Sequence, residues 1–307
     1  MIEARRRPAF GAPGRDVGLP NLDTFVAIEE VAMSFAANGE IRICYDTIGY
    51  PEDPPLLLIA GLGNQLVTWQ DEFCASLIDR GFFVIRFDNR DCGLSSVVTD
   101  RDGYTLHDMA GDALAVLDAL GVARVHLFGH SLGGMIAQVM SIEHPDRVAS
   151  MTVLSTSTGN WDHGTPSDEA LAAISRPVTE DREESFERDV ANRRLWASPS
   201  WFDEDLIREQ FRVSDDRAFT PGGSVRQYLA ILQAPEREEA LRTLNVPTLV
   251  MHGTLDPLIA MDGGQRLASL VPGAQFMEIE GLAHDLPIQV WQQVISAITS
   301  HVSQNAS

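Results

Sequence analysis

The stretch Leu127-Phe128-Gly129-His130-Ser131-Leu132-Gly133-Gly134 decides how the rest of the chain is read. Ala123 to Phe128 is short and apolar enough for a buried strand. Beyond the stretch, Met135, Ile136, Val139 and Met140 fall on one face of a helix running to His144. A serine between two glycines at a strand-to-helix turn has the Gly-x-Ser-x-Gly form of a nucleophile elbow. Such a turn forces the serine into a strained backbone conformation, and Gly129 and Gly133 lack the side chains that would collide there. The Ser131 hydroxyl then stands clear of the sheet edge. The Leu132 amide and the first helical turn point at any oxyanion formed beside it. The same residues can also form an ordinary glycine-rich turn, so the motif takes its meaning from its partners elsewhere.

The composition narrows those partners. A chain of 307 residues buries a large core without staples. An apolar fraction of 44% and a charged fraction of 22% are those of a globular protein. The net charge is −21, and all 23 basic residues are arginine. With no lysine, a Ser-Lys dyad, a Schiff base and a P-loop lysine are excluded. The acidity argues against nucleic acid and anionic membranes as partners. Cys44, Cys74 and Cys92 are widely spaced and odd in number, which reads as reduced thiols and not as a disulfide frame or a zinc site. Arg5, Arg6 and Arg7 precede no apolar run, and 1–23 reads as a flexible tail. No leader or membrane span is expected, and the expected location is the cytoplasm. The sequence calls for no metal or cofactor and leaves the oligomeric state open.

Outward from the elbow, strand and helix signals alternate. Asn38-Gly39 between two alternating segments marks a hairpin. Leu56 to Ala60 is a continuous apolar run, as for a strand covered on both faces, and it ends in Gly61-Leu62-Gly63. A helix is predicted over Val67 to Arg80, a strand over Phe82 to Phe87, and a helix over Thr105 to Leu120 with a capping box and a Gly121 stop. Val148 to Leu154 is another strand. The charges of 88–95 read as ties between loops, and Cys92 there has no base. The alternation stops over 157–235, where charged helical segments carry Trp161, Trp196, Trp201, Phe202 and Phe211. It resumes with strands over Val246 to His252 and Gln275 to Ile279, then a closing amphipathic helix around Ile288 to Ile298. The expectation is an α/β fold with a mostly parallel central sheet. Its core is 24–156 and 236–307, and 157–235 forms a helical cap. Reactive groups belong beyond the carboxyl ends of the strands.

A serine hydroxyl needs a base, and the base needs a group to fix its tautomer. His284 follows the last strand, and Asp256 follows the strand before it. The other histidines are placed less well. His130 is held inside the elbow, His126 is mid-strand, His252 ends its strand, His144 ends a helix, and His163 and His301 lie in the cap and near the terminus. Asp256 is preferred over Asp262 and Asp285 because it follows its strand directly. The order Ser131, Asp256, His284 is the one found in the α/β-hydrolase fold.

On these motifs, Gly129 to Gly133, Gly253 to Asp256 and Gly281 to His284, the chain resembles the α/β-hydrolase superfamily over nearly all of its length after residue 24. Gly61 to Trp69 and Val84 to Asp91 further resemble a bacterial group of carboxylesterases and aclacinomycin methylesterase-type enzymes. The loop is Gly61-Leu62-Gly63, not the His-Gly-Gly-Gly of some lipases, which weakens any case for bulky lipid esters. The resemblance implies a serine carboxylic-ester hydrolase for small to medium, largely apolar esters. The amides of Leu62 and Leu132 would form the oxyanion hole, and Trp69, Trp161 and Trp196 would line the pocket. Methylesterase, lactonase, aminopeptidase and C–C hydrolase activities are open to the same three residues, as is a non-enzymatic ligand receptor.

Overall fold

A computed structural model describes residues 33–99 and 103–305. The expected tail at 1–23 and the start of the core at 24–32 lie outside them. The strands are β1 (Ser34–Asn38), β2 (Ile41–Ile48), β3 (Pro55–Ile59), β4 (Phe83–Phe87), β5 (Val125–His130), β6 (Val148–Leu154), β7 (Thr248–Gly253) and β8 (Gln275–Ile279). They make one sheet in the order β1-β2-β4-β3-β5-β6-β7-β8. The first hairpin turns at Asn38-Gly39, with Gly39 at φ 60°, and β2 joins β4 antiparallel. From β4 to β8 every pairing is parallel. This is the mostly parallel sheet expected from the alternation, and it agrees with the α/β-hydrolase fold that the resemblance implies.

The helices are α1 (Asp71–Ile78), α2 (Leu106–Leu120), α3 (Leu132–Glu143), α4 (Asp168–Ile174), α5 (Arg182–Trp196), α6 (Glu204–Arg217), α7 (Gly223–Gln233), α8 (Glu238–Leu241), α9 (Met261–Leu270) and α10 (Ile288–Gln304). The capping box at Thr105 and Asp108 is present, and Gly121 ends α2 in the left-handed region. Leu57, Ile59, Ile85, Leu127 and Val153 pack with α2, α3 and α9 in the main core. On the other face Phe128 meets Phe73 of α1, which meets Trp291 of α10. Buried on both faces, the central strands read as unbroken apolar runs and not as alternations.

Two expectations change here. The helix predicted from Val67 begins as a 3-10 turn over Leu66–Thr68 and starts properly at Asp71. Trp69, expected at the pocket wall, is only 3% exposed and packs against Phe73 and Phe128. The turn carries its ring under the sheet, away from the strand ends.

Between β6 and β7 the alternation is interrupted by α4 to α7. The long helices α5 and α6 fall where charged helical segments were expected. The insertion is riveted to the loop after β4. Asp88 accepts from the Leu66 and Leu94 amides at 2.7 and 2.9 Å and pairs with Arg217 of α6 at 2.7 Å. Asp91 takes a two-pronged bond from Arg226 of α7 at 2.8 and 2.7 Å. The charges of 88–95 are therefore loop ties, and the Cys92 thiol among them is buried, its pKa raised chiefly by burial.

Candidate active site

The chain winds outward in opposite directions from β3, to β4 on one side and β5 on the other, so the crevice between β3 and β5 is the switch point of the sheet. Ser131 sits at its rim, between β5 and α3, with φ 56° and ψ −119°. A backbone held there costs about 1–3 kcal/mol and persists only where its surroundings dictate it. The glycines explain how. A Cβ on Gly129 would strike the Gly133 carbonyl, and one on Gly133 would strike the Ile59 carbonyl of β3. Thr156 closes the turn from the next strand, its hydroxyl donating to the Ser131 carbonyl at 2.9 Å. Leu132 opens α3, so its amide is among those that a helix leaves without an internal partner. The Gly61-Leu62-Gly63 loop faces it: a Cβ on Gly61 would lie 3.4 Å from Ser131 Cβ. Gln227 of α7 fixes this loop by accepting from the Gly63 amide at 2.8 Å.

The three residues paired by order alone meet in space. Ser131 Oγ lies 2.9 Å from His284 Nε2, and His284 Nδ1 lies 2.8 Å from Asp256 Oδ2. All three are at most 9% exposed. The other Asp256 oxygen accepts from the amides of Leu258 and Ile259, each at 2.9 Å. Burial alone would raise the Asp256 pKa, but the imidazoles of His284 and His252 more than offset it and hold the carboxyl well below its usual range. An ionised Asp256 fixes the Nδ1–H tautomer of His284 and leaves Nε2 free to accept the hydroxyl proton.

Neighbours that sequence reasoning passed over complete the site. His252, set aside as a strand end, is fully buried with Nε2 2.8 Å from the Ile259 carbonyl and 3.4 Å from Asp256. His130 stacks tilted beside His284 at 5.0 Å, and burial first, then the His284 charge, drives its pKa far down and keeps it neutral. The insertion also holds the loop that carries His284. The His284 amide donates to the Trp196 carbonyl at 2.8 Å. The Ser198 hydroxyl bonds Asp285 at 2.5 Å and accepts from the Ala283 amide at 2.9 Å, while the Ser198 amide donates to Asp285 at 3.1 Å. Nothing in the sequence around Ser198 signals this, because the contact joins segments 85 residues apart.

A cavity of about 270 Å³ opens onto Ser131 and His284 beneath the insertion. Trp196 and Phe211 line it, as do Leu62, Val225 and Tyr228. Trp161, expected on this wall, is not there: it is 54% exposed, in a turn outside the cavity. Among the described residues no cluster of His, Cys, Asp and Glu could hold a metal. No described helix is long and apolar enough to cross a membrane.

Comparison with known proteins agrees with this architecture. A family model for the alpha/beta hydrolase fold matches residues 54–289. Rhodomycin D methylesterase DnrP of Streptomyces peucetius is 32% identical over 290 residues, 86% of this chain and 96% of that one. A putative carbamate hydrolase, RutD of Variovorax paradoxus, is 30% identical over 73% of this chain and 82% of its own. Among solved structures, a hydrolase from Pseudomonas aeruginosa superposes with a TM-score of 0.71 at 27% identity, covering 88% of this chain and 98% of that one.

Proposed function

The chain belongs to the α/β-hydrolase family, and on that premise we propose that it is a serine carboxylic-ester hydrolase acting through an acyl-enzyme. The observation that carries the reading is the unbroken line from Ser131 through His284 to Asp256, at 2.9 and 2.8 Å. His284 takes the hydroxyl proton as Ser131 attacks the ester carbonyl. The Leu62 and Leu132 amides receive the developing oxyanion, and Asp256 stabilises the imidazolium. His284 then protonates the departing alcohol and later draws a proton from the water that frees the acid. The insertion acts as the cap of the site, and the substrates are small to medium esters that fit beneath it.

The likeness to a rhodomycin D methylesterase supports a narrower form of the reading, with methanol as the departing alcohol. A methyl group needs little room beside His284, which leaves the cavity for the acid portion. The acidity of the chain, at −21, favours an uncharged small molecule over nucleic acid or an anionic membrane as partner.

A fluorophosphonate probe and a panel of p-nitrophenyl and methyl esters test the proposal. Labelling confined to Ser131 with turnover of at least one ester class is expected. Labelling without turnover of any ester, amide or lactone would favour a ligand receptor, and no labelling at Ser131 would sink the nucleophile assignment.

A further inference from the structure

Two neighbouring residues of α5, Asn192 and Arg193, line the cavity with buried polar atoms that no described residue satisfies. Among the described residues eight buried side-chain nitrogen or oxygen atoms lack a hydrogen-bond partner. Three belong to residues lining this one cavity: His130 Nε2, Asn192 Oδ1 and Arg193 Nε. A buried polar group left unpaired costs about 1–3 kcal/mol, so three around one space point to something that fills it.

The chemistry of the pair says what that is. Arg193 offers only donors, and Asn192 Oδ1 only accepts. The Arg193 guanidinium lies over the Phe211 ring at 5.3 Å, which fixes its plane on the cavity wall. Among the described residues it makes no ion pair, whereas its neighbours Arg188 and Arg194 pair with Asp189 and Glu204. Asp189 and Asp285 nevertheless stand within electrostatic reach of it and offset its charge. A substrate carboxylate would satisfy Arg193 but leave Asn192 unpaired and add negative charge beside those two aspartates. A hydroxyl satisfies both residues, accepting from Arg193 and donating to Asn192, without adding charge.

We propose that Asn192 and Arg193 form a subsite for a hydroxyl group on the acid portion of the substrate, so that the preferred esters are hydroxylated. This revises the expectation of largely apolar esters. It rests on the ester-hydrolase reading for the reaction but not for the binding.

The test uses methyl ω-hydroxyalkanoates of increasing length, each paired with the methyl alkanoate in which a methyl replaces the hydroxyl, and the monomethyl esters of the matching diacids. At the length that spans from Ser131 to α5, the hydroxy ester should exceed its methyl twin about tenfold in kcat/KM, with the diacid ester below it. Asn192→Leu and Arg193→Met should each bring that ratio near one, the comparison being made between the two esters within each variant. Melting curves of both variants separate loss of the subsite from loss of the fold. Calorimetric binding of each pair to Ser131→Ala reads the same preference without turnover, so failure of the esterase reading leaves this result standing. Equal affinity for both members of every pair would mean that solvent satisfies the two groups, and would overturn the proposal. A diacid ester preferred over the hydroxy ester would overturn it equally.

Discussion

Asp256 shares its oxygens between two tasks, one holding the turn through Leu258 and Ile259 and the other orienting His284. Asp256→Asn keeps the size but offers an amide where the Nδ1–H must be received, so His284 turns to the wrong tautomer. Its kcat should fall by about 10⁴-fold with KM little changed, as steady-state kinetics on any ester substrate would show. A variant retaining a tenth of the activity would contradict the role. Away from the site, His126 in β5 is 7% exposed and bonds Ser150 at 2.8 Å. Burial first, then the charges of His301 and Arg124, lowers its pKa to about 4. The unfolded chain, with a histidine pKa of about 6.5, therefore takes up the proton first as the pH falls. Its contribution to stability is full above pH 6.5 and is lost on descent toward 4. Melting temperatures should show wild type losing ground to His126→Gln between pH 6.5 and 5, and a constant difference would refute the linkage. At this scale the sequence spoke unevenly. Ser131, Asp256 and His284 were legible because each follows a strand within a glycine-marked turn. The aromatics were not: Trp69 and Trp161 differ from Trp196 only in which way a turn carries the ring.

At the scale of the element, His284 is held from two sides. β7 delivers Asp256 beneath the imidazole, and the end of α5 grips the loop above it through Trp196 and Ser198. Ser198→Ala removes the hydroxyl's bonds to Asp285 and to the Ala283 amide together and leaves only the Ser198 amide on Asp285. The loop loses its register by a fraction of an ångström, where misplacement is costly. We expect kcat to fall about tenfold with KM nearly constant. The acid limb of the pH–rate profile should also move downward, because the hydroxyl holds the Asp285 pKa down; without it Asp285 is more readily neutralised and supports the charged form of His284 less. A change in melting temperature with an unmoved profile would assign Ser198 to stability alone. Elements with a strong periodic signal were predicted where they lie: β6, β8 and α2 match to within a residue. The short helix α4 of the insertion carries no such signal, because only Ala170 and Ala173 of its seven residues are buried.

Across the whole molecule, arginines join parts that are distant in sequence. Arg237, just past the insertion, bonds Gln138 of α3 and the Ser157 carbonyl, each at 3.1 Å, while its amide donates to Thr158. It thus ties the base of the insertion to the helix that begins at Ser131. Burial, only partly offset by the charge of Glu236, depresses its pKa to about 10. Arg237→Leu leaves these acceptors unanswered and should cost about 3 kcal/mol, with faster proteolytic nicking near 157–160 at native temperature. Cleavage rates equal to wild type would show that the tie carries no load. The sheet order and the antiparallel β2 were beyond sequence reasoning, since long-range pairing leaves no local trace, but the parallel core followed from the alternation of apolar runs and helices. Through the Trp196–His284 contact a shift of α5 strains the loop that sets the imidazole beside Ser131, so a substitution in the roof of the cavity is felt at the hydroxyl on its floor.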